Sequence, residues 1–315
     1  MKIIIYLPAL NEGEGIAKVI SRLPRELPGI DEIETLVVDD GSTDQTTVVA
    51  KNAGAEIVSH GKNRGVGAAF RSAIQYSLEN GADILIGIDA DGQFDPSEIP
   101  TLLQPLFDDK ADMVIGNRFV EGRPESMPGI RFWGNQKMTN LVNSFTGRKF
   151  HDVSCGFRAY NHEALLHLNL FSNFTYTHES ILSLVYQGLR VAERSIHVKY
   201  DPERKSRVAK SILNYAVQTS KTVLKMVLDY RPMRVFGTIG AIFIIIGMGF
   251  ELFLMGFYVF IGSFSPYKSF GFIGLGLILF GMLILILALI ANMMNRIRMN
   301  QDIVLYEIKK LRYHK

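Results

Sequence analysis

Two long apolar runs in the last third of the sequence limit what this chain can fold into. The first, Val235–Ile261, is interrupted only by Glu251, and the second, Phe270–Ala291, contains no charge. Each exceeds the roughly 20 residues that a helix needs to cross about 30 Å of hydrocarbon. The connection between them, Gly262–Ser269, is short and contains one positive charge. The pattern predicts a hairpin of two transmembrane helices. A pair of buried core helices is the alternative, and uninterrupted runs with basic flanks disfavour it.

Charge is distributed unevenly along the chain, although the net charge is only +3. Residues 204–234 contain eight Lys and Arg against one Asp, and residues 292–315 contain six against two acidic residues. Residues 1–203 therefore carry a net charge of −8. An acidic domain joined to basic segments that flank apolar ones predicts contact with an anionic membrane surface. It argues against a nucleic-acid partner, because nucleic-acid-binding domains are basic.

The same basic flanks predict a topology. By the positive-inside rule, both ends of the hairpin face the cytoplasm, which makes the chain a multi-pass protein of the cell (inner) membrane. The apolar run before Pro8 is too short for a signal peptide, so we expect the first domain to stay in the cytoplasm as well. The one cysteine, Cys155, excludes an internal disulfide framework and a cysteine-based zinc site.

Residues 1–203 alternate short β-branched runs with helical stretches, which predicts an α/β domain with a Rossmann-like, mostly parallel sheet covered on both faces. The predicted strands are Ile3–Leu7, Thr35–Val38, Glu56–Ser59, Ile84–Ile88 and Met113–Ile115. The predicted helices are Glu14–Leu23, Thr43–Asn52 (with Ser42 or Thr43 as N-cap), Gly65–Asn80 and Ser97–Phe107. Binding groups in such sheets collect at the carboxyl ends of the strands.

These patterns divide the chain into five parts. A cytoplasmic domain covers residues 1–205 and a juxtamembrane segment covers 206–234. Transmembrane helices cover 235–261 and 270–291, and a cytoplasmic helix covers 292–315. Within Ser206–Tyr230, apolar residues recur at helical spacing with lysines among them, so this helix either lies in the membrane interface or packs on the first domain.

An Asp-x-Asp motif, Asp89-Ala90-Asp91, directly follows the apolar strand Ile84–Ile88. Two carboxylates one residue apart at a strand end can reach one hard cation, and Mg²⁺ and Mn²⁺ prefer oxygen ligands while retaining phosphates and waters. Gln93 and Asp95 can join that shell. The alternative for a lone Asp-x-Asp is a solvated turn, but its position after a buried strand favours a metal site that neutralises a diphosphate leaving group.

Polar residues also follow the first two predicted strands. Acceptors at adjacent strand ends suit a nucleoside, whose ribose hydroxyls and base edge need them; the alternative for each is a turn with a helix cap. These residues lie in Pro8-Ala9-Leu10-Asn11-Glu12 and Asp39-Asp40-Gly41-Ser42-Thr43-Asp44. A Gly-x-Gly-x-x-Gly fingerprint after the first strand and a P-loop are both absent from the sequence.

Two further groups of residues suit anions. The first, Asn63-Arg64-Gly65-Val66-Gly67, opens a helix, where glycines permit close backbone approach and the helix N-terminus favours negative charge. The second comprises Arg118, Arg131 and Arg158, which together would form an anion site separate from the metal. A surface ion pair is the alternative for each arginine taken alone.

Taken together, these motifs resemble the family 2 glycosyltransferases with the GT-A fold, and most closely the polyprenyl-phosphate hexosyltransferases. That group includes the dolichol-phosphate mannose synthase and bacterial polyisoprenyl-phosphate glucosyltransferase kinds. The resemblance covers about residues 1–207, and the two-span tail resembles the bacterial members. The motifs that carry it occur in family order: Pro8 to Glu12, Val37 to Asp44, Asn63 to Gly67, Asp89 to Gln93 and Ser154 to Arg158.

The resemblance implies a role for each matching residue. Nucleoside contacts fall on Pro8, Glu12 and Asp40, and we expect Asn11, Asp39 and Arg64 to be further residues that bind the nucleotide. Metal ligation falls on Asp89 (or ribose contact), Asp91 and Gln93, with Mg²⁺ or Mn²⁺ as the cofactor. Acceptor-phosphate contacts fall on Arg118 and Arg131, a catalytic-base carboxylate falls on Glu179, and the basic loop that closes over the diphosphate falls on Ser206 and Arg207. That loop usually reads Gly-x-Ser-Lys, whereas here Lys205 precedes the serine and Arg207 replaces the lysine.

The expected activity is inverting transfer of a single hexose from UDP-glucose or GDP-mannose to the phosphate of a membrane polyprenol. Two alternatives stay open: transfer to a lipid or protein hydroxyl, with Glu179 as base, and a catalytically silent membrane scaffold that uses Leu305, Ile308 and Leu311. A processive synthase is disfavoured because no Gln-x-x-Arg-Trp occurs. Whether copies of the chain form a homo-oligomer is also left open.

Overall fold

The computed structural model describes residues 1–125, 127–199 and 212–313, with the backbone alone for 212–216. The chain forms two compact units. The first comprises Met1–Leu224 together with Leu305–Lys315, and the second comprises Lys225–Val304. The first unit contains the α/β domain, and the second contains the two long apolar helices.

A seven-stranded sheet forms the centre of the first unit, in the order β3-β2-β1-β4-β6-β5-β7. All pairings are parallel except those of β6, which runs antiparallel between β4 and β5. The apolar runs of β1, β2 and β4 are buried, because helices cover both faces. The strands are β1 Lys2–Ala9, β2 Glu32–Asp39, β3 Glu56–Ser59, β4 Ile84–Gly87, β5 Met113–Asn117, β6 Arg158–Asn161 and β7 Val191–Ser195.

Helices connect these strands and extend beyond them. Those of the α/β domain are α1 Ile16–Arg22, α2 Thr46–Asn52, α3 Val66–Glu79, α4 Ile99–Phe107, α5 Gly129–Thr146, α6 His162–His167 and α7 Thr177–Tyr186. The remaining helices are α8 Ile212–Tyr230, α9 Pro232–Ile261 and α10 Lys268–Arg312. A 3₁₀ turn, Pro96–Glu98, precedes α4.

The five predicted strands are all present, but the helix starts differ from the prediction. The helix expected from Thr43 begins at Thr46 with Gln45 at its N-cap, so neither Ser42 nor Thr43 is the N-cap; the Asp44 carboxylate accepts the Thr46 N–H at 3.0 Å. The helix expected from Ser97 begins as the 3₁₀ turn, since Asp95 accepts the Ser97 N–H at 3.1 Å.

Helix α5 presents an exposed face that combines apolar and basic side chains. Trp133, the one tryptophan of the sequence, is 61% exposed, and Ile130 is 58% exposed. The Lys137 Nζ lies 5.6 Å from the Trp133 ring centroid. The residues from Gly129 to Lys149 include four Lys and Arg and no acidic residue, in contrast to the acidic domain around them.

Helix α8 buries one face at helical spacing. Thr219, Val223 and Val227 are fully buried, whereas Val217 and Leu224 are exposed. Protein therefore covers this face of the helix.

Helices α9 and α10 are both long and apolar enough to cross a membrane. They approach closely through glycines: a Cβ on Gly247 would lie 2.6 Å from the Gly274 carbonyl oxygen, and one on Gly240 would lie 2.9 Å from that of Gly281. Small residues at such contacts let helix backbones pack tightly in lipid, where no hydrophobic force acts between helices. Large apolar side chains point outward from both helices.

The second apolar helix does not stop where its apolar run stops. Instead of a span at 270–291 followed by a separate helix at 292–315, α10 is continuous from Lys268 to Arg312. Its last turns belong to the first unit and pack on α6: the Lys309 Nζ donates to the Leu168 carbonyl at 2.9 Å, and Tyr306 stacks on His167 with ring centroids 4.3 Å apart. Leu305, Ile308 and Leu311 remain exposed.

Candidate active site

Hydrogen bonds join the ends of β1 and β2 into one edge. The Asn11 amide oxygen accepts the Thr43 N–H at 2.8 Å, and the Asn11 N–H donates to the Ser42 Oγ at 2.8 Å. Asn11 adopts a left-handed backbone (φ 53°), a conformation that asparagine tolerates better than most residues. Pro8 and Glu12 lie half-buried along this edge, where the sequence predicted nucleoside contacts.

The paired aspartates at the end of β2 organise the surrounding loops. Asp39 accepts the Ser42 N–H at 3.0 Å and the Ser59 hydroxyl at 3.1 Å. Asp40 accepts the backbone N–H groups of Arg64 and Gly65, each at 2.8 Å. Both carboxylates are buried, so these bonds fix the loop that carries the exposed Arg64 side chain beside the strand ends.

His60 supports Asp40 from the side of β3. Its Nδ1 lies 2.7 Å from the Asp40 Oδ1, and its Nε2 lies 2.9 Å from the Ser72 Oγ on α3. The sequence reading did not single out His60. The signal available was its place directly after the strand Glu56–Ser59, which parallels the place of Asp40 after β2.

The Asp-x-Asp motif lies at the carboxyl end of β4, beside that of β1. Asp91 accepts the Gln93 N–H at 3.1 Å, in a turn that Gly92 allows with its φ of 74°. Gly156 faces the Asp89 carboxylate so closely that a Cβ there would lie 3.0 Å from Oδ1. The predicted ligands Asp89, Asp91 and Gln93 therefore share one turn.

Asp95, the other residue expected near the metal shell, has protein partners of its own. Its Oδ1 accepts the Ser97 N–H at 3.1 Å and the Arg22 guanidinium at 3.2 Å. The carboxylate caps the 3₁₀ turn and forms an ion pair, and these contacts lower its pKa.

Burial raises the pKa of Asp89 to about 7, and the neighbouring charge of Asp91 adds to the rise, while Arg118 and Arg158 oppose it. A divalent cation would remove the repulsion between the two carboxylates. Within the described residues, no group of three or more His, Cys, Asp or Glu side chains converges on one point. Two carboxylates and an amide leave positions for phosphate and water, a donor set that fits Mg²⁺ or Mn²⁺.

Arg118, just after β5, forms a forked ion pair with Asp152. Its Nε donates to one Asp152 oxygen at 2.6 Å and its Nη2 donates to the other at 2.9 Å. Burial of Asp152 opposes ionisation, but the charge and hydrogen bonds of Arg118 hold the pKa of Asp152 below its usual value. The sequence analysis did not identify Asp152 as the partner of Arg118, although Asp152 lies only two residues before the motif Ser154 to Arg158.

Arg158 contradicts the expectation that it binds an acceptor anion. Its side chain is fully buried and donates to the backbone carbonyls of Cys155, Val153 and Thr177 at 2.6–2.8 Å. Buried arginine donors that already have acceptors are unavailable to a ligand. The charge of Arg158 nevertheless reaches Asp89, whose pKa it lowers.

Arg131 lies in the first turn of α5 and is half-buried. Unlike Arg118, its guanidinium makes no hydrogen bond or ion pair with the part of the chain that the structure describes. No described residue occupies its five N–H donors, so they can bind an anion such as the predicted acceptor phosphate.

Glu179, in the first turn of α7, is buried and binds backbone. Its Oε1 accepts the Phe171 N–H at 2.8 Å and its Oε2 accepts the Ser172 N–H at 3.0 Å. Next to it, burial lowers the pKa of His178 to about 3, so this imidazole is neutral. Each carboxylate oxygen of Glu179 already accepts a backbone N–H, and this arrangement disfavours Glu179 as a catalytic base.

Comparison with known proteins identifies the family. Residues 4–168 match the sequence pattern of glycosyl transferase family 2. The chain belongs to this family. It is 27% identical to the undecaprenyl-phosphate mannosyltransferase of Micrococcus luteus, over 63% of this chain and 82% of that one. It is 26% identical to the dolichyl-phosphate hexose transferase of Haloferax volcanii, over 72% and 94%.

A solved structure confirms the GT-A-like α/β fold of this glycosyltransferase. Glucosyl-3-phosphoglycerate synthase from Mycobacterium tuberculosis, in complex with Mn²⁺, UDP and glucosyl-3-phosphoglycerate, superposes with a TM-score of 0.58 at 22% identity. The match covers 71% of this chain and 79% of that one. At this identity the likeness concerns the fold.

The basic loop expected to close over the diphosphate, Ser206 and Arg207, lies outside the residues that the structure describes. The other predicted site residues all lie within the described part of the chain. The loops after β1, β2 and β4 lie at neighbouring strand ends, because these strands are adjacent in the sheet.

Proposed function

We propose that this glycosyltransferase transfers a single hexose, with inversion, from a nucleotide sugar to the phosphate of a membrane polyprenol. The observation that carries the proposal is the pair Asp89 and Asp91, two carboxylates and an adjacent Gln93 that share one turn at the carboxyl end of β4 and fit a divalent cation. Two candidate membrane spans in the same chain, and relatives named for transfer to undecaprenyl phosphate and dolichyl phosphate, support a lipid acceptor.

On the donor side, the proposal gives Pro8, Asn11, Glu12, Asp39, Asp40 and Arg64 to the nucleoside end of UDP-glucose or GDP-mannose, with Ser206 and Arg207 over the diphosphate. Asp89, Asp91 and Gln93 would hold Mg²⁺ or Mn²⁺. The bound cation would supply positive charge to the departing diphosphate. The protein's own part is alignment: the hydrogen-bonded edge of β1 and β2 keeps the nucleotide fixed while the sugar is exposed to attack.

On the acceptor side, Arg118 and Arg131 would receive the lipid phosphate. A phosphate is already anionic at neutral pH, so no strong base is needed to activate it. Asp152 holds Arg118 in a fixed orientation, which supports a preorganised contact, and Arg131 would supply a forked contact from α5. Charge stabilisation and positioning would then account for most of the rate enhancement.

Transfer to a lipid or protein hydroxyl is the second candidate within the family, and it requires a base. The contacts of Glu179 with two backbone N–H groups speak against that role. A catalytically silent scaffold is the third candidate. It gives no reason for the paired carboxylates of Asp89 and Asp91.

A donor screen tests the proposal. Purified protein in lipid is incubated with Mg²⁺ or Mn²⁺, polyprenyl phosphate and each of a series of radiolabelled UDP- and GDP-sugars, and the lipid is then extracted. We expect label in the lipid fraction, released by mild acid, for one sugar nucleotide. Label on a hydroxyl-bearing acceptor alone would favour the second candidate, and neither lipid labelling nor metal-dependent hydrolysis of any donor would favour the scaffold.

A further inference from the structure

The loop that joins α6 to α7, residues 168–176 (the α6–α7 loop), is held by Glu179 at its middle. Each carboxylate oxygen accepts one of two consecutive backbone N–H groups, from Phe171 at 2.8 Å and from Ser172 at 3.0 Å. Glu179 as a whole residue is 2% exposed. A charged acceptor shared by two successive amides fixes the path of the backbone at that point.

The opposite side of the same loop presses on the start of α3. A Cβ atom on Gly65 would lie only 2.3 Å from the Asn173 carbonyl oxygen, and one on Gly67 would lie 2.2 Å from the Ser172 carbonyl oxygen. The Gly67 N–H donates to the Asn173 oxygen at 3.0 Å. Only glycine permits this approach, so the position of the loop and that of the Gly65–Gly67 turn are set together.

Arg71, one turn further along α3, strengthens this contact. Its Nη1 donates to the Ser172 carbonyl at 2.8 Å, and its Nη2 donates to the Asn173 side chain. The loop is therefore held between a carboxylate on α7 and a guanidinium on α3.

The turn held in this way is part of the candidate donor site. The Gly65 N–H and the Arg64 N–H both donate to Asp40, each at 2.8 Å. A continuous series of contacts thus runs from Glu179 through the α6–α7 loop and the Gly65–Gly67 turn to Asp40 and Arg64.

We propose that Glu179 is a positioning residue for the nucleotide, which acts by holding the α6–α7 loop against the turn that presents Arg64 and Asp40. This inference rests on the proposed function, because it takes those two residues as donor contacts. It differs from the role of catalytic base that the family resemblance implied for Glu179. A positioning residue alters nucleotide affinity, whereas a base alters turnover and its pH dependence.

Substitution by glutamine separates the two roles because it keeps size and removes one acceptor. The amide of Glu179→Gln offers one oxygen and turns an NH₂ group toward a backbone N–H. One hydrogen bond to a charged acceptor is lost and two donors face each other, which we expect to weaken nucleotide binding about tenfold or more.

The experiment titrates full-length protein in lipid nanodiscs with UDP and with GDP, each with Mg²⁺, by calorimetry. Glu179→Gln is expected to raise the Kd of whichever nucleotide the unsubstituted protein binds. Glu193→Gln is the matched control, since Glu193 also accepts two consecutive backbone N–H groups, of His151 and Asp152, but in a different loop. Its nucleotide Kd is expected to stay at the unsubstituted value.

Arg71→Met loosens the same loop from the other side, so it too is expected to raise the nucleotide Kd, and it serves if Glu179→Gln fails to fold. In Glu179→Gln the acidic limb of the kcat–pH profile is expected to remain. Unchanged nucleotide Kd in both loop variants, or lost turnover with lost pH dependence at unchanged Kd, would overturn the inference and leave the proposed function standing. Binding of neither nucleotide by the unsubstituted protein would instead remove the proposed function and this inference with it.

Discussion

At the scale of single residues, Asp89 and Asp91 are separated by one position at the end of β4. Side chains one residue apart on a strand end can reach the same point, and their charges then oppose each other. Burial and the charge of Asp91 raise the pKa of Asp89 to about 7. Without a cation, the Asp89 carboxyl is therefore only partly ionised at neutral pH. A bound cation would favour the ionised form of both carboxylates.

Asp91→Asn is expected to lower turnover at least about a hundredfold at limiting Mn²⁺, because it removes a charged ligand and most of the site's attraction for the metal. Turnover is measured against Mn²⁺ concentration, and chelation of the metal should mimic the variant. Asp95→Asn is the control, since Asp95 caps the 3₁₀ turn, and its metal dependence should match the unsubstituted protein. Near-normal turnover of Asp91→Asn at limiting Mn²⁺ would refute the metal assignment.

Arg131→Ala is expected to raise the KM for polyprenyl phosphate about ten- to a hundredfold, since a forked charge-assisted contact is lost. Nucleotide affinity, measured by calorimetry with metal present, should stay unchanged. Arg148→Ala, an exposed arginine beyond the end of α5, serves as the charge control. A loss of nucleotide affinity with an unchanged lipid dependence would place Arg131 in the donor site instead.

The sequence can indicate such residues only where local pattern decides their environment. Asp89 follows a buried strand, so its place at the sheet edge could be predicted from the strand alone. Arg158 stands in an equally suggestive motif, but carbonyl groups of Cys155, Val153 and Thr177 consume its donors. Those carbonyls are brought to it by tertiary folding, which no local pattern reveals.

At the scale of elements, each of the five predicted strands contains a run of at least two consecutive large aliphatic residues (Val, Ile, Leu or Met). Strand β6 reads Arg-Ala-Tyr-Asn and β7 reads Val-Ala-Glu-Arg-Ser, so neither has such a run. The first is short and has a buried arginine, and the second lies at the edge of the sheet, paired only with β5 among the strands. Edge position lets β7 carry charged side chains that an interior strand would exclude.

Helix α5 was also not predicted from the sequence. Its exposed face of apolar and basic side chains predicts contact with lipid. A tryptophan beside lysine and isoleucine on a basic stretch is typical of a helix that meets an anionic membrane surface. In nanodiscs that contain anionic lipid, we expect the emission of Trp133 to shift to shorter wavelength and to be quenched by brominated lipid more than by aqueous acrylamide. Ile130→Ser and Lys137→Gln should weaken the lipid quenching. Emission typical of water, quenched by acrylamide alone, would show that this face stays in solvent.

At the scale of the whole molecule, the first unit, which contains the candidate active site and is called the catalytic unit below, includes both the N-terminal α/β domain and the last turns of α10. The apolar helices α9 and α10 form the other unit, packed through glycines. The uneven charge of the sequence predicts that the catalytic unit lies on the cytoplasmic side. In that topology a donor made in the cytoplasm and an acceptor confined to the bilayer would meet at one protein.

A cysteine at Ser269, in the first turn of α10 beside the connection between the two apolar helices, is expected to react with an impermeant maleimide added outside intact cells. One at Leu311, which is exposed near the end of α10, is expected to react only after the membrane is permeabilised. Labelling with the opposite pattern would reverse the proposed orientation, and both positions should label in detergent.

The sulfur of Cys155 gives such labelling a further use. Burial raises the pKa of its thiol to about 12, so in the folded protein it is protonated and out of reach of reagents that attack thiolates. A maleimide is therefore expected not to label Cys155 in the folded protein, and this native cysteine need not be removed before new ones are introduced. The same sulfur is expected to become reactive when the segment between Asp152 and Arg158 unfolds locally. Its modification rate then measures the rate of local unfolding around the Arg118–Asp152 ion pair.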